Sequence, residues 1–138
     1  MKIAWGRVLN LTLWVLQGIL AVLFLYSGAS KLNPHATFWI GLFDKIGIGQ
    51  WFRYFAGVLE VVCAILLLTP RTSAIAAMLL SLTMAGAVVT HLFIVRDGYA
   101  AFFPAFTLLL LAVVAWRRGS ARMEKQATPA LRSPHNGS

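Results

Sequence analysis

Apolar residues in this chain do not alternate with polar ones; they run in four long blocks. Val8–Gly28 holds only Asn10, Thr12, Gln17 and Ser27 as polar members, and Phe52–Thr69, Thr72–Val95 and Ala100–Trp116 follow it. Each block falls near the ~17–25 residues that carry a helix across the ~30 Å hydrocarbon core. Helix is the element such a block must adopt, because a lone strand in lipid leaves its backbone groups unpaired. Pro70-Arg71 breaks the second block from the third, and Asp97-Gly98 turns the third into the fourth. Both joints are short, which predicts antiparallel neighbours. The pattern predicts an all-α fold, a polytopic membrane four-helix bundle.

The connection Ala29 to Trp51 carries a pattern of its own. Asn33-Pro34 is a helix start signal, and Phe38, Trp39, Leu42, Phe43 and Ile46 recur at helical spacing. This predicts a short amphipathic helix over Pro34–Lys45, lying at the interface and ended by the Gly47-Ile48-Gly49 turn. Trp39 and Trp51 suit that depth as anchors, and Trp5 and Trp116 suit the opposite surface. The first block, preceded by Lys2 and Arg7 and followed by Ser27-Gly28-Ala29-Ser30, has some features of a signal peptide. Its apolar run exceeds the ~7–15 residues of a signal core, so a retained helix is expected. From Arg117 to Ser138 the chain turns basic and polar and holds Pro129 and Pro134, which predicts a disordered tail.

Composition sharpens the class. The chain is 59% hydrophobic and 12% charged, about half the ~25% that covers a water-solvated domain. Net charge is +8, yet the basic residues sit in flanks and joints. No basic stripe is interleaved with aromatics, so nucleic acid is not an expected partner and the bilayer is. Eight of the twelve Lys and Arg residues fall on the side of the two termini, which predicts both termini in the cytoplasm. The single Cys63 excludes an internal disulfide and a paired-cysteine redox motif. One intramembrane His, one Cys and one Glu are too scattered for a zinc or haem site, so no metal is expected. No phosphate loop or nucleophile elbow is present, and no self-contained catalytic domain is expected.

The stretch Arg53-Tyr-Phe-Ala-Gly-Val-Leu-Glu60 is the chemically loaded one, because Glu60 is the only acid inside a long apolar block. Seven residues make almost two turns, so Arg53 and Glu60 share a face about 10.5 Å apart along the axis. A carboxylate at membrane depth costs ~2.5–3.5 kcal/mol on insertion scales and therefore faces a bundle interior and a partner. That partner makes it either a functional group or a structural ion pair that locks helices together. In the third block, Gly86, Ala87 and Thr90 allow close approach of another helix, and His91 shares a face with Met84. On this topology Glu60, His91 and Gln17 lie one to two turns below the outer surface, with Lys31 and Arg53 above them. Pro104, one turn into the fourth block, frees a carbonyl at that level. These residues are expected to line one outward-opening cavity, with Glu60 and His91 as proton-handling residues. Lys31, Arg53, Gln17 and Met84 are its expected ligand contacts. The bland alternatives stand beside this: His91 as a packing hydrogen bonder, Lys31 and Arg53 as snorkelling cations, Gln17 as an interhelix bond.

The ordered motifs resemble the DoxX-like family of small four-helix membrane proteins. They are Tyr26-Ser-Gly28-Ala-Ser-Lys31-Leu32, the Arg53–Glu60 stretch, Leu66-Leu-Leu-Thr-Pro70, and Thr83-Met84-Ala-Gly-Ala87-Val-Val-Thr-His91-Leu92. The resemblance covers roughly Leu20 to Trp116. It implies a bacterial inner-membrane protein, with family polar positions on Lys31, Arg53, Glu60 and His91. Some relatives are membrane subunits of thiosulfate–quinone oxidoreductases, and others are linked to quinone, catechol or oxidative stress. The implied ligand is a membrane quinone or aromatic small molecule, with a soluble redox partner or a second copy as protein partner. A non-enzymatic scaffold or assembly factor is the competing expectation. A small permease ranks below both, since four helices leave little room for alternating access.

Overall fold

A computed structural model describes residues 1–131 of the chain, with side chains described as far as Thr128. The described residues form helices throughout: α1 (Lys2–Leu32), α2 (Thr37–Ile46), α3 (Gln50–Leu67), α4 (Ser73–Val89) and α5 (Phe102–Leu131). A π-helical turn, Thr90–Val95, extends α4. Among the described residues four helices, counting Ser73–Val95 as one, are long and apolar enough to cross a membrane. The burial pattern runs opposite to that of a soluble protein. Gln17, Lys31, Arg53, Glu60, Ser73 and Thr107 are buried, while Val22, Leu82, Phe93 and Phe102 point outward. In hydrocarbon that arrangement is favourable, since lipid tails are as apolar as these side chains.

Local chemistry places the helix ends. Asn33 is extended, at φ −68° and ψ 120°, because the residue before a proline is pushed out of the helical region. The expected start of α2 at Pro34 is corrected to Thr37. The His35 N–H bonds the Asn33 Oδ1 at 2.9 Å, and this turn occupies the intervening residues. Gly47 and Gly49 sit at φ +77° and +107°, a region open mainly to glycine, and so fold α2 back onto α3. At the other joint Arg96 takes a left-handed φ of 56°, and the Asp97 N–H returns to the His91 carbonyl at 2.9 Å. Pro104 lies in the first turn of α5, where an N–H has no intrahelical partner, so the expected freed carbonyl inside a helix does not arise.

Beyond Trp116 the helix does not stop. The expected disordered tail is replaced, as far as Leu131, by a continuation of α5. The run is rich in Arg, Ala, Met, Glu, Lys and Gln, all strong helix formers. Its first part is also tied down, because Arg118 bonds Gln17 and Asn10 of α1. Residues 132–138 lie outside the described part.

Helices α1 and α3 run antiparallel in backbone contact. Arg53 reaches Lys31, Gly57 meets Gly28, and Leu67 meets Gln17, so one number falls as the other rises. A Cβ placed on Gly28 would stand 2.7 Å from the Gly57 carbonyl oxygen, and one on Gly57 would stand 2.9 Å from that of Gly28. Only glycine at both positions lets the backbones approach so closely. Below this crossing the core is apolar, built on Leu20, Phe24, Ala64, Leu67, Ala76, Leu80, Leu111 and Val114. Gly28→Ala and Gly57→Ala are each expected to cost about 1–3 kcal/mol in detergent unfolding, because a backbone carbonyl cannot step aside. Gly6→Ala and Gly18→Ala, whose new Cβ meets nothing within 4 Å, should leave the midpoint unchanged or raise it slightly.

Candidate functional site

The close crossing of α1 and α3 sets the position of the charged pair. Side chains on a helix tilt toward its N-terminus. Lys31 on α1 therefore leans down into the bundle, and Glu60 on the antiparallel α3 leans up toward it. The ammonium lies 2.6 Å from Glu60 Oε1 and 2.7 Å from Oε2, with both side chains almost fully buried. Ser27, one turn before Lys31 on the same face, closes the group. Its hydroxyl donates to Glu60 Oε2 at 2.9 Å and accepts from Lys31 Nζ at 3.0 Å. The Trp39 ring of α2 lies 4.4 Å from the ammonium, and its Nε1–H donates to Ser30 Oγ at 2.9 Å. Two buried charges thus satisfy each other, with a hydroxyl and an aromatic face completing the shell.

Beside this group lies a cavity of about 730 Å³. Lys31, Glu60 and Ser27 line it from α1 and α3, Met84 and His91 from α4 and its π turn, and Pro104 from α5. Helix α2 roofs it with Trp39, Leu42 and Phe43. His91 keeps a buried Nδ1 with no hydrogen-bond partner among the described residues. A buried polar atom left unpaired costs ~1–3 kcal/mol. Most other lining side chains are aliphatic or aromatic, and the volume lies within the ~300–1,000 Å³ of small-molecule sites.

Four of the six residues expected from sequence come together here: Glu60, His91, Lys31 and Met84. No hydrogen bond joins Glu60 to His91; the direct partner of the carboxylate is Lys31. Arg53 does not line the cavity. Its Nη1 donates to the carbonyls of Lys31 and Asn33 at 2.6 and 2.9 Å, its Nε donates to Gln50 Oε1, and the guanidinium stacks over Tyr54. It serves as a clamp on the last carbonyls of α1, groups that a helix end leaves without partners. Gln17 also lies elsewhere, near the opposite end of the bundle. It donates to the Leu67 carbonyl at 2.6 Å and accepts from Arg118 Nε at 2.7 Å. The close helix approach expected at Gly86 is corrected too, because a Cβ there would meet nothing within 4 Å. Gly86 faces the cavity.

Sequence reasoning passed over Ser27 and Trp39 as site residues. Ser27 carried a signal, its spacing of four from Lys31, which puts the two side chains side by side. Trp39 carried none, because its place over Lys31 depends on how α2 folds back.

Fold and site define a polytopic helical membrane protein with a neutralised ion pair beside a largely apolar cavity between its helices. A sequence profile described as the DoxX-like family matches residues 15–115. The chain belongs to the DoxX-like family. No curated protein and no solved structure matches it.

Removing one partner of the pair should be worse than removing both. Glu60→Ala, which strands the Lys31 ammonium, is expected to cost ~3–5 kcal/mol in thermal unfolding. The double variant Lys31→Met/Glu60→Leu should recover most of that loss. Strictly additive single effects would show that the two charges are not coupled.

Proposed function

We propose that this protein is a quinone-linked membrane component, acting in redox chemistry or in the response to quinone stress, with the cavity as its ligand site. The observation that carries the reading is a largely apolar cavity of ligand size bordered by the Lys31–Glu60 pair on one side and by His91 on another. A quinone ring is flat and apolar, with acceptor oxygens at opposite ends. The Lys31–Glu60 pair and Ser27 border one side of such a ring, with their donors engaged within the group, and the His91 imidazole borders the other. Reduction of a quinone to a quinol takes up two electrons and two protons. Glu60 and His91 are the titratable groups placed to pass the protons, and the electrons come from a donor outside this chain, a soluble partner or the substrate itself. Met84 contributes a soft apolar contact.

One feature favours a second reading, a non-enzymatic scaffold. Glu60 is saturated by Lys31 and Ser27, as a purely structural lock between α1 and α3 would be. The exposed face of α5 from Ala121 to Thr128 would then be the docking surface.

Thermal unfolding with a water-soluble quinone separates the two. Saturation at a hundred times the dissociation constant adds about 2.7 kcal/mol of stability. The wild type should show that shift. His91→Leu should be as stable as wild type without quinone and lose the shift. An equal shift in both proteins would place the quinone elsewhere, and no shift in either would leave the scaffold.

The bacterial inner membrane is the proposed location, with both termini cytoplasmic, on the weight of Lys and Arg at the end that carries Lys2, Arg7, Arg71 and Arg117. In a Cys63→Ala background, Gly41→Cys on α2 should react with an impermeant thiol reagent added outside intact cells. Ser120→Cys should react only after lysis; the reverse labelling would invert the topology.

A further inference from the structure

We propose that the cavity is filled sideways from the bilayer, by a neutral amphiphile whose single apolar tail leaves between α3 and α4. This deepens, and rests on, the reading of the cavity as a quinone site. Phe55 of α3 and Leu82 of α4 both line the cavity, yet they are 55% and 72% exposed. Lining residues this open to the exterior stand at a mouth. Phe38 and Ile48 near α2 and Phe103 of α5, also lining and 68%, 51% and 58% exposed, show that the cavity opens on those sides as well. Leu82 lies near the middle of the Ser73–Val95 span, so the mouth reaches the depth of acyl chains. The way in from the headgroups is narrowed by α2, where Phe43 is buried and packs against Phe52, itself stacked on Phe55, and the α3–α4 side is the one at acyl-chain depth.

The wall behind the mouth is a groove along α4. Thr83, Gly86, Ala87 and Thr90 line it, and between Leu82 and Thr90 it runs about 12 Å along the axis. Gly86 is not used for helix packing, unlike Gly28 and Gly57, so its missing side chain leaves open space in the groove. The Thr83 hydroxyl is already bonded to the Leu79 carbonyl at 3.1 Å and asks for no partner from a ligand. The groove therefore suits hydrocarbon. The charge at its inner end selects the head. Lys31 is matched by Glu60, so no net positive charge is offered to a phosphate, and a neutral head with hydrogen-bonding oxygens fits better than an anionic phospholipid.

The test uses the full chain in lipid nanodiscs and two probes, a tailless benzoquinone and the same ring on a saturated chain ending in a diazirine. Light should attach the tailed probe to the Leu82–Thr90 stretch and to the neighbourhood of Phe55, with excess tailless quinone competing. Gly86→Leu, which fills the groove without meeting another atom at its Cβ, should weaken the tailed probe roughly tenfold or more by excluding part of its chain. The tailless probe should bind that variant as it binds wild type, which also reports that the variant is folded. Binding of the tailless probe with no gain from a tail, or labels on α2 or spread over the lipid-facing helices, would overturn the sideways slot alone. Equal loss of both probes in Gly86→Leu would put the head at Gly86 and overturn it as well. Failure of both probes to bind wild type would overturn the quinone reading together with it.

Discussion

An ammonium and a carboxylate buried inside a helix bundle cannot stay apart, and the approach of α1 to α3 is what lets Lys31 and Glu60 meet. Taking either charge out of water costs several kcal/mol, and only a partner at contact distance offsets it. Two glycines make that contact possible. With Gly28 and Gly57 facing each other, the backbones touch, and the tilt of each side chain toward its own N-terminus brings the charges to the same level. Ser27 and Trp39 then add the remaining contacts to the ammonium. Arg53 secures the arrangement from above, by holding the end of α1 through two carbonyls.

The same geometry accounts for the cavity. Tight pairing of α1 with α3, and of α4 with α5, leaves α3 and α4 less closely packed against each other. Near the Pro70 joint the gap is filled by Leu67, Ala76, Ala77 and Leu80. Toward α2 it widens, and small residues on α4 keep it open. The bundle is thus tightly packed where charges are paired at its α1–α3 seam and hollow beside that seam. The pair borders the hollow while remaining bonded within itself.

At the opposite end Gln17 performs a similar task with neutral groups. It joins the end of α3 to the Arg118 of α5, and the guanidinium stacks on Trp14 while reaching Asn10. Among the buried polar residues, Ser73 and Thr107 bond nearby carbonyls, while the others act in two sets, one at each end, of which only the set near α2 borders the cavity. Depth measured along the apolar block alone puts Gln17 and Glu60 at one level. The helix in fact starts at Lys2 and ends at Leu32, and its register against α3 is set by the glycine contact.

Much was legible in the sequence. Apolar block length determined the four membrane helices, since only a helix of that length satisfies its backbone in lipid. The rarity of charge marked Lys31, Arg53, Glu60 and His91, and ordered short motifs marked the family. What each charge does was not legible. A helical pattern says which residues share a face but not which helix that face meets, nor at what height. Arg53 and Glu60 lie on one face of α3, yet one clamps a helix end and the other pairs across the bundle. Gly57 and Gly86 look equally suited to close packing, yet one is in backbone contact and the other borders open space. Those differences were decided by the tertiary structure, because partner, depth and void all depend on the relative placement of helices distant in sequence, which side-chain period alone does not encode.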